Sequence, residues 1–205
     1  MLSMTRTAHV AVYDTLADWE VGHLLVELRT GRFTGVPFEV VTVAEGTEPI
    51  VTMGGVRIVP DVLLADLDPA ASSLLVLPGA ALWDEGGNAA FADAARAFLD
   101  AGVPVAAICG ATAGLARARL LDDRPHTGAA PEYLAATGYA GGGHYVRDAR
   151  AVIGADLVTA GPQSPVQFAR ATLERLDLAD ATRLDAYEAV FHRGDAGAFP
   201  VLMAA

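Results

Sequence analysis

The sequence contains no lysine and only one cysteine, and these absences limit its chemistry. All 14 basic residues among the 205 are arginine, so covalent catalysis through a lysine Schiff base is excluded. The single cysteine, Cys109, can form neither an internal disulfide nor a metal site built from several cysteines. Any role of this residue must therefore depend on a free thiol.

Positive charge is scarce as well. The 14 arginines stand against 25 acidic residues, which gives a formal net charge of −11 at pH 7. Such a charge argues against nucleic acid or an anionic membrane surface as a partner. Residues 1–14 lack the apolar core of a signal peptide, and no hydrophobic run is long enough to cross a membrane. We therefore expect a cytoplasmic location.

The histidines show no spacing that is typical of metal ligands. There are five, at positions His9, His23, His126, His144 and His192. A glycine-rich segment at residues 138–146 lacks the strand-then-helix context of a phosphate-binding or dinucleotide-binding loop. We therefore expect no metal and no cofactor.

Strand-like and helix-like segments alternate along the chain. With 53% hydrophobic and 19% charged residues, the composition predicts a globular protein, which we interpret as a single domain over residues 1–205. Short apolar runs predict strands at 9–14, 38–44, 56–61, 73–79, 104–108, 144–146, 151–153 and 157–161. Helical spacing predicts helices at 17–31, 88–102, 111–121, 164–176 and 180–194. This alternation predicts an α/β fold of the flavodoxin-like type, with a doubly wound, mainly parallel sheet sandwiched by helices.

Three features are predicted to meet at the carboxyl edge of this sheet, where such folds place their functional crevice. They are the loop before Glu20, the turn Leu77–Ala80 and Cys109 itself. Cys109 stands between a predicted strand and a predicted helix, and the small Gly110 permits a tight turn there. The first amides of the helix are predicted to lower the thiol pKa. The alternative is a buried structural cysteine.

Four segments resemble the DJ-1/PfpI family, in the same order as in that family. "AAICGATAGLA" around Cys109 resembles the family's cysteine turn, and "ADWE" at 17–20 resembles its acidic first loop. "LVLPGA" at 75–80 resembles its Leu-Pro-Gly-Gly turn, and "LVTAGPQSPVQFARATLERL" at 157–176 resembles its closing strand and helix. The resemblance covers nearly the whole chain and implies the DJ-1/PfpI type of flavodoxin-like fold.

The resemblance also implies roles for single residues. Cys109 is expected to be the nucleophile, and Glu20 its acidic partner with a raised pKa, because two close negative charges disfavour each other. Gly79 and Gly110 are expected to form an oxyanion hole with their backbone amides. Asp18 is the rival acid, although an N-terminal helix cap is the preferred interpretation for it.

The chain departs from the PfpI-type peptidases at one position. Those enzymes carry histidine directly after the nucleophile, whereas this chain has Gly110. His126 is our first candidate for the missing base, and a histidine that caps a loop is the alternative. His23 and His144 are weaker candidates.

The remaining candidates surround the expected pocket. Trp19, His23 and Thr112 join Asp18 there, although capping the helix after Cys109 is the preferred role for Thr112. Trp83 is a second aromatic candidate, for a pocket wall, the core or an interface.

Three functions remain open. The first is a cysteine-dependent hydrolase or lyase, similar to a glyoxalase, that acts on a small electrophilic carbonyl or amide. The second is a redox-responsive stress protein whose only cysteine is oxidised. The third is a non-catalytic interaction protein. The resemblance also implies a homodimer, and a small molecule is the expected substrate.

Overall fold

Short apolar segments build the strands, as the sequence predicts. In the computed structural model, which describes residues 6–204, most strands of the main sheet are four to seven residues long and largely buried. The strands are β1 (Arg6–Ala11), β2 (Phe38–Ala44), β3 (Ile50–Val51), β4 (Arg57–Ile58), β5 (Val62–Leu63), β6 (Leu74–Leu77), β7 (Val105–Ile108), β8 (Ala151–Gly154) and β9 (Leu157–Ala160). Every residue of β6, β7 and β9 is buried, because both faces of the sheet are covered.

Seven of these strands form one sheet in the order β5-β2-β1-β6-β7-β9-β8. All neighbours pair in parallel except β8, which runs antiparallel to β9. Strands β3 and β4 form a separate antiparallel hairpin. The prediction of a doubly wound, mainly parallel sheet is confirmed.

Helices cover both faces of this sheet. They are α1 (Gly22–Thr30), α2 (Ala81–Asp84), α3 (Ala89–Asp100), α4 (Gly110–Arg117), α5 (Pro131–Ala135), α6 (Pro165–Arg175), α7 (Ala181–Phe191) and α8 (Phe199–Met203). One core, with Trp83 and Phe91, lies beneath α3 and α4. The other core, with Phe168 and Tyr187, lies beneath α1, α6 and α7. Among the described residues, no helix has the length and apolarity needed to span a bilayer.

Two local predictions are wrong. Residues 144–146 do not form a strand: His144 ends a 3₁₀ turn that begins at Gly141, and Tyr145 makes only an isolated bridge with His126. The three consecutive glycines favour a turn over an extended strand. Asn88 precedes α3 as predicted, but its side chain makes no capping hydrogen bond, because its φ of 59° is not the extended conformation of an N-cap.

The chain order of the strands reverses beside β1. Strand β2 lies on one side of β1, and the later strands β6 and β7 follow on the other side. Such a reversal opens a crevice at the carboxyl ends of the strands. The loops that leave β1, β6 and β7 at this edge carry Glu20, Gly79 and Cys109.

Candidate active site

Cys109 occupies a sharp turn between β7 and α4. Its backbone φ of 59° and ψ of −126° lie in a region that residues with a side chain rarely adopt. The Cys109 N–H donates to the Ala160 carbonyl at 3.0 Å, which ties the turn to β9. The thiol is partly exposed at the carboxyl edge of the sheet. The sharp turn places the thiol at the end of the strand, and the unfavourable backbone conformation is the energetic cost of that placement.

The turn after β6 approaches Cys109 very closely. A Cβ atom at Gly79 would lie 2.7 Å from the Cβ of Cys109 and equally close to Glu20 Oε2. Only glycine therefore fits between the cysteine and the glutamate. On the other side of Cys109, a Cβ at Gly110 would lie 3.1 Å from the Ala80 carbonyl oxygen, so the two turns pack together.

Glu20 is fully buried beside the thiol. Its Oε2 accepts a hydrogen bond of 2.6 Å from the Gly79 N–H, and the Ala17 N–H in turn donates to the Gly79 carbonyl at 2.9 Å. The other carboxyl oxygen, Oε1, has no hydrogen-bond partner within the described part of the chain. The thiol of Cys109 lies beside this carboxyl, and each of the two groups shifts the pKa of the other. The structure thus brings together Glu20 and Cys109, as expected.

Burial shifts the pKa values of both groups upward. Desolvation raises the pKa of Glu20 from 4.5 to about 7, although its interactions with the Cys109 thiol and the Gly79 N–H oppose the shift. Desolvation likewise raises the pKa of the Cys109 thiol to about 12, and the negative charge of Glu20 adds to the increase. The raised pKa expected for Glu20 is confirmed in direction, but its cause is desolvation and not repulsion by a thiolate. The expected lowering of the thiol pKa is wrong, because burial and the carboxylate outweigh the Gly110 amide, the one group that lowers it.

The two backbone amides expected to form the oxyanion hole, those of Gly79 and Gly110, have different hydrogen-bond partners. The Gly79 N–H is already occupied by Glu20, so it is not free for a substrate oxygen. The Gly110 N–H begins α4 and hydrogen-bonds only toward the Cys109 sulfur. Within residues 6–204 the N–H of the next residue after Gly79, Ala80, has no hydrogen-bond partner. Ala80 is therefore a further candidate donor, which no sequence pattern indicated.

Asp18 has a different role from the predicted helix cap. Its carboxylate accepts hydrogen bonds from the Thr52 hydroxyl at 2.5 Å and from the Gly54 N–H at 2.7 Å. These bonds, led by the one from Thr52, hold the pKa of Asp18 below its ordinary value. Asp18 therefore fastens the β3–β4 hairpin to the loop that carries Glu20.

The hydrogen bonds of Trp19 and His23 go to groups other than the Cys109 thiol. The Trp19 ring is 53% exposed, and its Nε1–H donates to the Pro162 carbonyl at 3.1 Å. The Nδ1 of His23 is 3.2 Å from the Tyr187 hydroxyl, and its ring packs edge-on against Phe191. His23 therefore belongs to the aromatic packing between α1 and α7.

His126 is buried with both of its ring nitrogens engaged. Nδ1 lies 2.9 Å from the Arg124 carbonyl, and Nε2 lies 3.0 Å from the Tyr139 hydroxyl. Burial lowers the pKa of His126, which favours a neutral ring that donates to Arg124 and accepts from Tyr139. No nitrogen of His126 is left for Cys109 in this arrangement, so the structure favours the loop-histidine alternative over the base.

Thr112 and Trp83 support the cysteine turn from within. The Thr112 hydroxyl donates to the Cys109 carbonyl at 2.6 Å, so it closes the first turn of α4 instead of capping its amides. Trp83 is fully buried and lies against Gly114 of α4, where a Cβ would be 2.1 Å from the indole. Trp83 is thus a core residue, which was one of the roles considered for it.

Two further groups act on the thiol, and the sequence analysis did not identify them. The carboxylate of Asp84, at the end of α2, adds to the raised pKa of Cys109. The hydroxyl of Tyr133, in α5, donates a hydrogen bond to Asp84. The negative charge of an ionised Cys109 adds to the raised pKa of Tyr133. Within the described part of the chain, no group of three or more His, Cys, Asp or Glu side chains could hold a metal ion.

Comparisons with known proteins agree with this architecture. The family model of the DJ-1/PfpI family matches residues 6–175. The uncharacterized protease YoaZ of Bacillus subtilis (strain 168) is 36% identical over 179 residues, which is 85% of each chain.

Solved structures give the same result. A thiJ/pfpI family protein from Bacillus anthracis superposes with a TM-score of 0.91 at 36% identity, over 97% of this chain and 96% of that one. The DJ-1 superfamily protein Atu0886 from Agrobacterium tumefaciens gives a TM-score of 0.80 at 33% identity, over 90% of this chain and 98% of that one. The chain belongs to the DJ-1/PfpI family.

Proposed function

We propose that the protein is a cysteine-dependent enzyme that acts on a small electrophilic carbonyl or amide compound. Cys109 is the nucleophile, and Glu20 is the group that takes up its proton. The observation that carries the proposal is the buried contact between a strained cysteine and a carboxyl whose pKa is raised to about 7. A base with such a pKa is partly ionised at neutral pH and can accept and return a proton there.

The first step is the addition of the thiol to the carbonyl. As the sulfur–carbon bond forms, the thiol proton passes to the Glu20 carboxylate, and the carbonyl π electrons move to oxygen. The proposed donors for the oxygen are the Gly110 N–H, which faces the sulfur, and the Ala80 N–H, because the Gly79 N–H is occupied by Glu20. Return of the proton to the oxygen gives a hemithioacetal from an aldehyde.

An amide substrate follows the same path to a tetrahedral adduct. Glu20 then delivers the proton to the amide nitrogen, which leaves as an amine, and a thioester remains on Cys109. Water hydrolyses the thioester, which releases the acid and restores the thiol. The family and its relatives named as proteases, YoaZ and YdeA of Bacillus subtilis, support a hydrolase-like or DJ-1-like role.

The proposal includes the partners as well. The substrate is a small molecule, and the working form is a homodimer of this chain.

The test is turnover together with trapping of the adduct. The protein and its Cys109→Ser variant are incubated with a panel of α-oxoaldehydes and simple amides, and the products are quantified. Intact-protein mass spectrometry after an acid quench reports the thioester that an amide substrate leaves on Cys109. We expect turnover and an adduct in the wild type only. Equal turnover in the serine variant would overturn the proposal.

The redox alternative gives a different result in the same assay. A redox-responsive protein would show no turnover, but would gain one or two oxygen atoms on Cys109 with dilute peroxide. A raised thiol pKa makes such oxidation slow, because the thiolate is the reactive form.

A further inference from the structure

The peptide unit between Pro78 and Gly79 is hydrogen-bonded on both of its sides. Its N–H belongs to Gly79 and donates to Glu20 Oε2 at 2.6 Å. Its carbonyl oxygen belongs to Pro78 and accepts from the Tyr13 hydroxyl and, at 3.1 Å, from the Nε1–H of Trp83. This peptide is trans, so its N–H and C=O lie in one plane and point in opposite directions. The groups that hold the carbonyl therefore also direct the N–H toward the carboxyl.

The two side chains that donate to this carbonyl are buried and packed against each other. Tyr13 follows β1, whereas Trp83 lies in α2. The Nε1–H of Trp83 is also 2.9 Å from the Tyr13 hydroxyl, and the two rings meet edge to face with their centroids 5.8 Å apart. Phe91 of α3 packs against the Tyr13 ring as well, with the centroids 5.2 Å apart. Each donor therefore has a fixed position.

The glycine in this peptide makes such a restraint necessary. A Cβ at Gly79 would lie 2.7 Å from Glu20 Oε2, so glycine is needed for the close approach. The peptide before a glycine can flip at little steric cost, because glycine adopts positive φ readily. A flipped peptide would turn its oxygen, instead of its N–H, toward the carboxyl. The flip would also leave the buried Tyr13 hydroxyl without its acceptor, which disfavours it.

We infer that Tyr13 and Trp83 are positioning residues of the cysteine site. They hold the peptide between Pro78 and Gly79 as a fixed donor to Glu20, and they thereby set how readily this carboxyl takes up and returns a proton. Two donors on the carbonyl also polarise the peptide, which strengthens its N–H as a donor. The inference rests on the proposed function, in which Glu20 accepts the thiol proton, and it adds how the acidity of that carboxyl is controlled.

The hydrogen bond from Gly79 opposes the effect of burial on Glu20. Burial raises the pKa of Glu20 to about 7, and the Gly79 N–H is one of the groups that limit the increase. Glu20 interacts with two titratable groups, Cys109 and Tyr13. The pKa of Tyr13 is raised well above its ordinary value, mainly by burial, so the phenol remains a donor. Weakening the bond from Gly79 should therefore raise the pKa of Glu20 further.

The test follows the titration of Glu20 directly. A protonated carboxyl has its own C=O stretching band in the infrared spectrum, and ordinary carboxyls are ionised above about pH 6. The band is recorded from about pH 5 to about pH 9, and its loss in Glu20→Gln assigns it to this residue. In the wild type we expect half of the band to disappear near pH 7.

Tyr13→Phe removes the hydroxyl and keeps the ring. The midpoint of the band should rise by roughly half a pH unit or more, because the Gly79 N–H is no longer held toward the carboxylate of Glu20. Turnover should fall below the midpoint and recover above it, a change of pH profile that a loss of stability alone would not give. Tyr187→Phe is the matched control: it removes another buried hydroxyl, which lies 3.2 Å from Nδ1 of His23 in the other core, and it should leave the midpoint unchanged.

A second substitution tests the other donor. Site-specific replacement of Trp83 by 3-benzothienylalanine removes the N–H but keeps the shape of the ring, and it should raise the midpoint as well. It also decides the question if Tyr13→Phe does not fold. A midpoint that neither substitution raises overturns this inference and leaves the proposed function standing. A wild-type band that is already lost at about pH 5 gives Glu20 an ordinary pKa and overturns both.

Discussion

At the scale of single residues, Glu20 and Cys109 lie in one buried environment that disfavours two negative charges. Glu20 is fully buried, and the thiol beside it is half-buried. The charge of ionised Glu20 adds to the raised pKa of the thiol, so the pair titrates as a unit. Below about pH 7 the carboxyl is protonated, and above that value its charge suppresses the thiolate.

Glu20→Gln should therefore make the thiol more reactive toward iodoacetamide. The amide carries no charge, so the pKa of Cys109 falls and the alkylation rate at pH 8 rises by roughly threefold or more. Turnover should fall in the same variant, because glutamine cannot take up the proton. The measurement is the pH profile of alkylation, with Glu39→Gln, an exposed site in β2, as the control. A slower or unchanged alkylation rate would contradict this account of the pair.

The same raised pKa predicts how stability depends on pH. The folded carboxyl has a pKa of about 7 and the unfolded one 4.5, so the folded state binds more protons between these values. The stabilisation is complete below pH 4.5 and is lost as the pH rises through about 7. The loss amounts to about 3 kcal/mol for a shift of this size.

Urea unfolding at pH 4.5, 6 and 8 measures this effect. The difference in the free energy of unfolding between the wild type and Glu20→Gln should move against the wild type by up to about 3 kcal/mol over this range. Parallel pH profiles for the two proteins would show that Glu20 is ionised at its ordinary pKa in the folded state.

At the scale of elements, α4 depends on its close packing against Trp83. A Cβ at Gly114 would lie 2.1 Å from the indole, and the ring is fully buried and cannot move away. Gly114→Ala should therefore lower the free energy of unfolding by roughly 2 kcal/mol or more, because overpacking forces the ring or the helix to shift. Gly22→Ala in α1 is the matched control.

Gly22 is also a helical glycine, but a Cβ added there would have no atom within 4 Å. Alanine has the higher helix propensity, so Gly22→Ala should raise stability by up to about 1 kcal/mol. Chemical denaturation of both variants gives the comparison. A Gly114→Ala variant whose free energy of unfolding is unchanged or raised would refute the tight contact between Trp83 and α4.

The long periodic elements could be predicted from the sequence. Strands β6 and β7 are buried apolar runs, and β1 and β2 are rich in apolar, β-branched residues. The turn at Cys109 follows from a strand that meets a helix at small residues. The contact of Glu20 with Cys109 also follows from this alternation, because parallel strands end at one edge.

Other parts of the site could not be predicted. Asp84 and Tyr133 lie in helices of four and five residues, which are too short to show a period. Their hydrogen bond joins residues 49 apart and depends on how α2 and α5 pack. The two engaged nitrogens of His126 likewise depend on Arg124 and Tyr139, whose positions only the folded chain defines.

At the scale of the whole molecule, acidic groups exceed basic ones, and the net charge is −11. Like charges repel one another more strongly in the compact state, so self-repulsion destabilises the fold. Raising NaCl from about 10 mM to about 200 mM at pH 8 should therefore raise the urea midpoint. Sucrose carries no charge, so the urea midpoint should depend differently on sucrose concentration than on NaCl concentration. A midpoint that falls with salt would show that ion pairs such as Arg170–Asp185 outweigh the repulsion.

The environment of the Cys109 thiol is assembled from three distant parts of the chain. Its neighbours Glu20 and Gly79 come from the loops after β1 and β6, so its suppressed reactivity exists only when all three loops meet. In the unfolded chain the same thiol has an ordinary pKa and is open to solvent. The single cysteine is thus a natural probe of folding. The rate at which a reagent labels it, in a cell extract or during refolding, reports the fraction of molecules in which these three loops have not yet come together.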